Sequence, residues 1–184
     1  MESTSEKSSS FRITSLVLLL AGVGALSPAL KAADEESVSK LLAQAKTQSY
    51  AISVDATELD SYLRSNLSWQ THANELSRMK DDINATAKTV TALVNAKAQA
   101  VPWQATAIDR IIPYLKEIAA DTTAAIDYLN KNQSRLTMKE YKDYTEANAD
   151  TSQELSTLIS HFVDYGSHKD RADSLRKTLE LPAK

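Results

Sequence analysis

Cysteine is absent and glycine nearly so, and each shortage removes a class of chemistry. Without a thiol the chain has no disulfide, no thiolate metal centre, no covalent haem attachment and no acylated N-terminal cysteine. Of the three glycines, Gly22 and Gly24 fall in an apolar leader, which leaves Gly166 alone in the remainder. Phosphate-cradling loops and tight hairpins depend on residues that accept positive φ, chiefly glycine. A Walker loop, a dinucleotide fingerprint and a serine elbow therefore have nothing to be built from. No sign of charge dominates: 21 Lys and Arg against 24 Asp and Glu leave a formal net charge of −3. Such a chain, without a basic block, has no grip on a phosphate backbone, and nucleic acid is not an expected partner. The one apolar run, Ile13 to Leu26, is shorter than the roughly 20 residues of a membrane-spanning helix.

What surrounds that run gives it a meaning. Lys7 and Arg12 precede it, the small residues Ser27, Ala29, Ala32 and Ala33 follow, and Asp34, Glu35 and Glu36 open the next segment. This order describes a secretory signal peptide. The expectation is a leader over residues 1–33, cut after Ala29, Ala32 or Ala33, and a single helical-bundle domain over 34–184. The mature protein is then periplasmic or secreted, with no membrane contact once the leader is gone. An uncleaved anchor is the competing reading. Asn66, Asn84 and Asn132 stand in glycosylation-type sequons, which matter only in a eukaryotic secretory pathway.

From Asp34 onward apolar residues recur at spacings of three and four. The first stripe is Val38, Leu42, Ala45, Ser49, Ile52, Ala56, Leu59 and Leu63. The second is Leu76, Met79, Ile83, Ala87, Val90 and Val94. Ile108, Ile111, Leu115, Ile118, Thr122, Ala125 and Leu129 make the third. Leu155, Leu158, Phe162 and Tyr165, then Ala172, Leu175 and Leu179, make the fourth. This period places each set on one helix face, near the seven-residue repeat of coiled-coil packing. Alternation with a period of two is not sustained anywhere, so no strand is expected.

The breaks between stripes have local causes. Ser68 is a suitable N-cap. Pro102 sets a boundary at Val101, since a residue before proline avoids helical geometry. Thr137 and Glu140 match a capping box. The spacing predicts helices at about 35–65, 69–101, 103–130 and 137–180. Their starts are about 34 residues apart, the period of a tetratricopeptide repeat, but that repeat needs an internal turn and no turn signal divides these segments. Each is one helix of about 45 Å at the helical rise. Short connections then dictate an all-α, antiparallel up-down-up-down bundle of about four long helices. Pro113 should kink the third helix, and Gly166 sits inside the fourth, where phase continuity favours an unbroken helix at a cost of about 1 kcal/mol.

Candidate sites are few. A four-helix bundle can hold haem or metal between its helices. His72, His161, His168, Met79 and Met138 are the available ligands, and no Glu-x-x-His pair of the di-iron type exists. In the expected topology Met79 and His161 lie roughly 15 Å and 36 Å from the same end, too far apart for one iron. His72 and Met138 share a depth and form the only tolerable haem pair, a weak one; the bland alternative is a half-buried histidine and a gap-filling methionine. His161 and His168 are about 10 Å apart along one helix and cannot chelate one ion. Asp81 and Asp82 point to different sides of a helix and read as a solvated face. No Ser or Thr stands in a motif with His and Asp. Trp69, Trp103, Tyr141 and Tyr144 are possible partner anchors, because aromatic residues concentrate binding energy at interfaces. The segment Glu146–Thr151 is weakly apolar and has little to bury.

The reading that survives is a non-enzymatic, exported helical-bundle protein working through protein–protein contacts or self-association, as scaffold, adaptor or chaperone-like binder, with no resident cofactor. A periplasmic haem- or metal-binding bundle, and an enzyme whose site no motif encodes, stay open as alternatives.

Overall fold

The computed structural model describes residues 31–65 and 67–182, with side chains from residue 37 onward. Residues 1–30, and with them most of the expected signal peptide, lie outside the described residues. The described chain is all-helical: α1 (Lys31–Tyr62), α2 (Trp69–Asn95), a 3-10 turn (Lys97–Gln99), α3 (Pro102–Lys131) and α4 (Lys139–Thr178). None of these helices is long and apolar enough to cross a membrane.

The helix ends follow local chemistry, with two departures from expectation. Ser68 caps α2, its hydroxyl accepting the Thr71 amide at 3.3 Å. Val101 is extended and Pro102 takes the first helical position of α3, where a missing N–H costs nothing. Gln104 reaches back to accept the Val101 amide at 3.0 Å. α2 stops at Asn95, short of the expected 101, because the chain tightens into the 3-10 turn before the proline. The capping box at Thr137 and Glu140 does not form: α4 starts at Lys139 with Met138 as N-cap and no side-chain cap bond. At the other end of α4 Glu180 takes a left-handed φ of 52°. The Glu180 and Leu181 amides then reach the carbonyls of Lys177 and Arg176, the bond pattern of a Schellman stop.

The four helices pack as a bundle in which each contacts its sequence neighbours and α1 closes the ring onto α4. The first three apolar stripes face inward much as their period requires. Val38, Leu42, Ile52, Leu59, Leu76, Met79, Ile83, Ile108, Ile111 and Ile118 are fully buried. Each such side chain contributes about 1.5–3 kcal/mol relative to exposure.

The fourth stripe is fully buried only at Leu155. Leu158 and Phe162 are only half-buried, while Tyr165, Leu175 and Leu179 are 53%, 53% and 62% exposed. The face that α4 buries is Tyr141, Thr145, Asn148, Thr151, Ser152, Leu155, Ile159 and Gly166. The segment over residues 146–151 therefore has an inner face after all, a polar one. Thr122 of α3 donates to Asn148 Oδ1 at 3.1 Å inside the core. Thr145, Ser49 and Ser53 satisfy themselves on carbonyls of their own helices. Such bonds let the helices carry polar groups into the core, while Ser152 Oγ and Asn148 Nδ2 are buried without a partner.

Both suspected helix interruptions are crossed without a break. Pro113 is exposed, so the carbonyl it leaves without an amide partner is on the solvent side. Gly166 is buried beneath the Trp103 indole, whose six-membered ring approaches the α4 backbone there.

Candidate functional site

The connection between α1 and α2 and the connection between α3 and α4 line one cavity of about 330 Å³. Tyr62 ends α1, Ser68 and Trp69 start α2, and Gln133, Ser134, Leu136 and Thr137 belong to the second connection. Leu63 and Leu67 complete the apolar part of the wall, and His72 stands one turn into α2. Aromatic and aliphatic surface alternates with hydroxyls and an amide, and no charged side chain among the described residues lines it.

His72 is the organising residue. It is 1% exposed, and its Nδ1 lies 3.1 Å from the Tyr141 hydroxyl. Each of the other helices adds a ring around it. Tyr62 of α1 meets the imidazole edge-on at 5.5 Å and Tyr141 of α4 at a tilt at 5.6 Å. Tyr128 of α3 stacks on Tyr141. Burial pushes the imidazole pKa below its usual value and the Tyr141 phenol above its own. Both groups are therefore neutral at pH 7.

Beside this aromatic cluster lies a charged one. The Arg78 guanidinium meets Asp55 and Glu58 of α1 at 3.0 Å each and Glu75 at 2.6 Å. Tyr62 joins the two clusters, its hydroxyl donating to Glu58 at 2.7 Å with Glu75 at 3.4 Å. Glu58 is exposed, and the bonds from Tyr62 and Arg78 hold its pKa down. Burial has the opposite effect on Asp55 and Glu75, raising both despite the neighbouring guanidinium. Arg78 commits these carboxylates to joining α1 with α2, and one cation against three acids leaves that flank of the cavity negative.

The expected site residues have different surroundings. His72 has Tyr141 for a partner, while Met138 is the half-exposed N-cap of α4. Tyr141, expected as a partner anchor, is fully buried and has no surface to offer a partner. Tyr144 is half-buried, its hydroxyl 3.4 Å from Glu140. Trp69 packs partly on the core at the cavity, and Trp103 packs on Gly166 with Tyr165 edge-on at 5.7 Å. Met79 is buried beside Thr122, whereas His161 and His168 are exposed. Among the described residues no group of three His, Asp or Glu side chains converges to hold a metal ion.

Sequence reasoning missed the Arg78 cluster. Its acids fall outside any motif, and only the α1–α2 register brings Asp55 and Glu58 to Arg78. The chain matches no family model, and no curated protein or solved structure matches it.

Proposed function

We propose that this is an exported, non-enzymatic, antiparallel helical-bundle protein that works by docking a partner helix on the C-terminal part of α4. The observation that carries the reading is the exposure of that segment's apolar stripe. Tyr165, Ala172, Leu175 and Leu179 follow heptad spacing with His168 between them, yet all five are exposed. In the first three helices the same kind of stripe is core. A seam of this spacing has its natural complement in another helix.

The flanking charges favour one kind of occupant. Lys169, Arg171 and Arg176 occupy the positions beside the seam, so a second copy would bring like charges together, whereas a helix with acidic flanks would complement them. Asp173, 2.8 Å from Lys169, tempers this field locally. Partly exposed Trp103 and Tyr165 could extend the contact towards the bundle.

The antiparallel up-down-up-down order draws support from pairings in which numbering on one helix falls as it rises on the next. Trp103 lies on Gly166, Thr122 on Asn148 and Tyr128 on Tyr141. Export to the periplasm or beyond rests on the leader pattern: Lys7 and Arg12, then Ile13 to Leu26, then small residues.

Native mass spectrometry on the full-length gene product, recovered from its own compartment, tests both parts. The N-terminal mass reports whether the leader is removed. A stoichiometric complex with another chain is expected, and it should be lost in the doubly substituted Leu175→Asp, Leu179→Asp variant with helicity unchanged. A bare monomer, or a complex that survives both substitutions, would reject the docking surface.

A further inference from the structure

The cavity between the two connections has a feature that goes beyond partner docking. Tyr141 is fully buried, and its hydroxyl lies 3.1 Å from His72 Nδ1. Cut off from water, that hydroxyl satisfies its proton by donating it to Nδ1. A neutral imidazole whose Nδ1 accepts must carry its own proton on Nε2. No bond from Nε2 to any described residue is seen, and Nε2 is not among the buried polar atoms stranded without a partner. His72 is part of the cavity wall, although only 1% of its surface is exposed.

The rest of the wall narrows the chemistry. Trp69 and Tyr62 supply flat aromatic surface, and Leu63, Leu67 and Leu136 supply aliphatic surface. The Ser68 hydroxyl is already engaged in capping α2, whereas Ser134 and Gln133 sit across the cavity on the second connection. Among the described residues no cation lines the site to receive a carboxylate, and Glu58 and Glu75 lie directly behind Tyr62. An anion here would gain no counter-charge from the wall and would face the acidic flank. The volume, about 330 Å³, is at the small end of ligand-binding cavities.

We propose that this cavity binds a small uncharged amphiphile, an aromatic or branched apolar body with one carbonyl-type acceptor, and that the His72 Nε2–H is the donor that orients it. Tyr141 acts as a positioning residue that holds the imidazole in the donating tautomer. The site is independent of the α4 seam, so either can fail without the other.

Three fluorinated probes of similar size separate the possibilities by ¹⁹F NMR. They are 4-fluoroacetophenone, which offers an acceptor and no donor, 4-fluoroethylbenzene, which offers neither, and 4-fluorobenzoate, which is anionic. The ketone should bind saturably, about tenfold more tightly than the hydrocarbon for one buried hydrogen bond, with the benzoate weaker than the ketone. The His72→Phe variant should bind ketone and hydrocarbon alike. A reading that needs no variant comes from ¹⁵N shifts of the wild-type imidazole. Nδ1 should be bare and Nε2 protonated, and the Nε2 signal should move when the ketone is added. A proton on Nδ1, equal binding of ketone and hydrocarbon to the wild type, or no saturable binding of any probe would overturn the proposal.

Discussion

The indole of Trp103 occupies the space that a side chain at Gly166 would need. A Cβ built on Gly166 would lie 2.6 Å from Cη2 and 2.8 Å from Cζ2 of that ring, well inside contact distance. One glycine in the middle of a 40-residue helix thus lets an aromatic ring of α3 lie against the α4 backbone.

Gly166→Ala should therefore destabilise the protein, although alanine is the better helix former by about 1 kcal/mol. Overpacking against a rigid indole costs typically about 1–3 kcal/mol, and the net loss should be the difference. In a Trp103→Ala background the same change should stabilise, since the space is open. Urea denaturation of the four proteins in this cycle measures the sign reversal, and additivity would disprove the contact.

Asp55 is a carboxylate that the fold keeps at a disadvantage. Burial raises its pKa above the ordinary 3.8, its Oδ2 is buried without a partner, and Asp82 lies within reach. Above pH 3.8 the folded state binds more protons at this site than the unfolded state, so wild-type stability falls as pH rises through the folded pKa. Asp55→Asn keeps an acceptor for Arg78 and presents an N–H₂ towards Asp82. It should equal the wild type near pH 3 and exceed it by about 1 kcal/mol at neutral pH. Urea midpoints across that range check it; a variant less stable at pH 7 than at pH 3, relative to wild type, would refute it.

His72 should give the opposite slope. Its folded pKa lies below the ordinary 6.5 because burial disfavours the cation. The unfolded chain takes the proton first as pH falls, so stability is lost from about pH 6.5 downward until the folded pKa is passed. His72→Gln does not titrate, and comparing midpoints for the two proteins at pH 8, 7, 6 and 5 isolates the effect. A constant difference would mean that His72 is not protected from the proton.

The Thr122–Asn148 bond crosses the core between α3 and α4, and Asn148 Nδ2 is buried without a partner. Thr122→Val alone strands Asn148 Oδ1 as well and should cost about 1–3 kcal/mol. Thr122→Val with Asn148→Leu removes both polar groups and should recover most of that loss. If the double variant is no better than the single one, the polar layer contributes more than its visible bond.

The α4 stop offers a smaller gain. Glu180 holds the left-handed conformation that glycine adopts freely, so Glu180→Gly should raise stability by about 0.5–1 kcal/mol in thermal unfolding. No change would mean that the helix end frays below the melting transition.

How much of this was legible beforehand varies with the length scale of the cause. Helical class, the caps at Ser68 and Pro102, and the buried faces of α1, α2 and α3 rest on spacings within about four residues, which act through local backbone geometry and the helical period. These could be read from Val38, Leu76 or Ile108 with no knowledge of neighbours. The face of α4 could not. Beyond Leu155 its apolar stripe turns outward, and it also buries Thr145, Asn148 and Ser152, of which Thr145 bonds a carbonyl of its own helix and Asn148 Oδ1 accepts from α3 only once the two helices pack. Tyr141 looked like an anchor for the same reason: nothing in its surroundings in sequence announces that a histidine on α2 will take its hydroxyl. Arg78 with Asp55, and Trp103 with Gly166, are pairings across 23 and 63 positions of the chain. Periodicity settles which face of a helix is apolar; which face is inside, and which side chains complete each other there, depends on the register between helices, and that is decided only when the whole bundle packs.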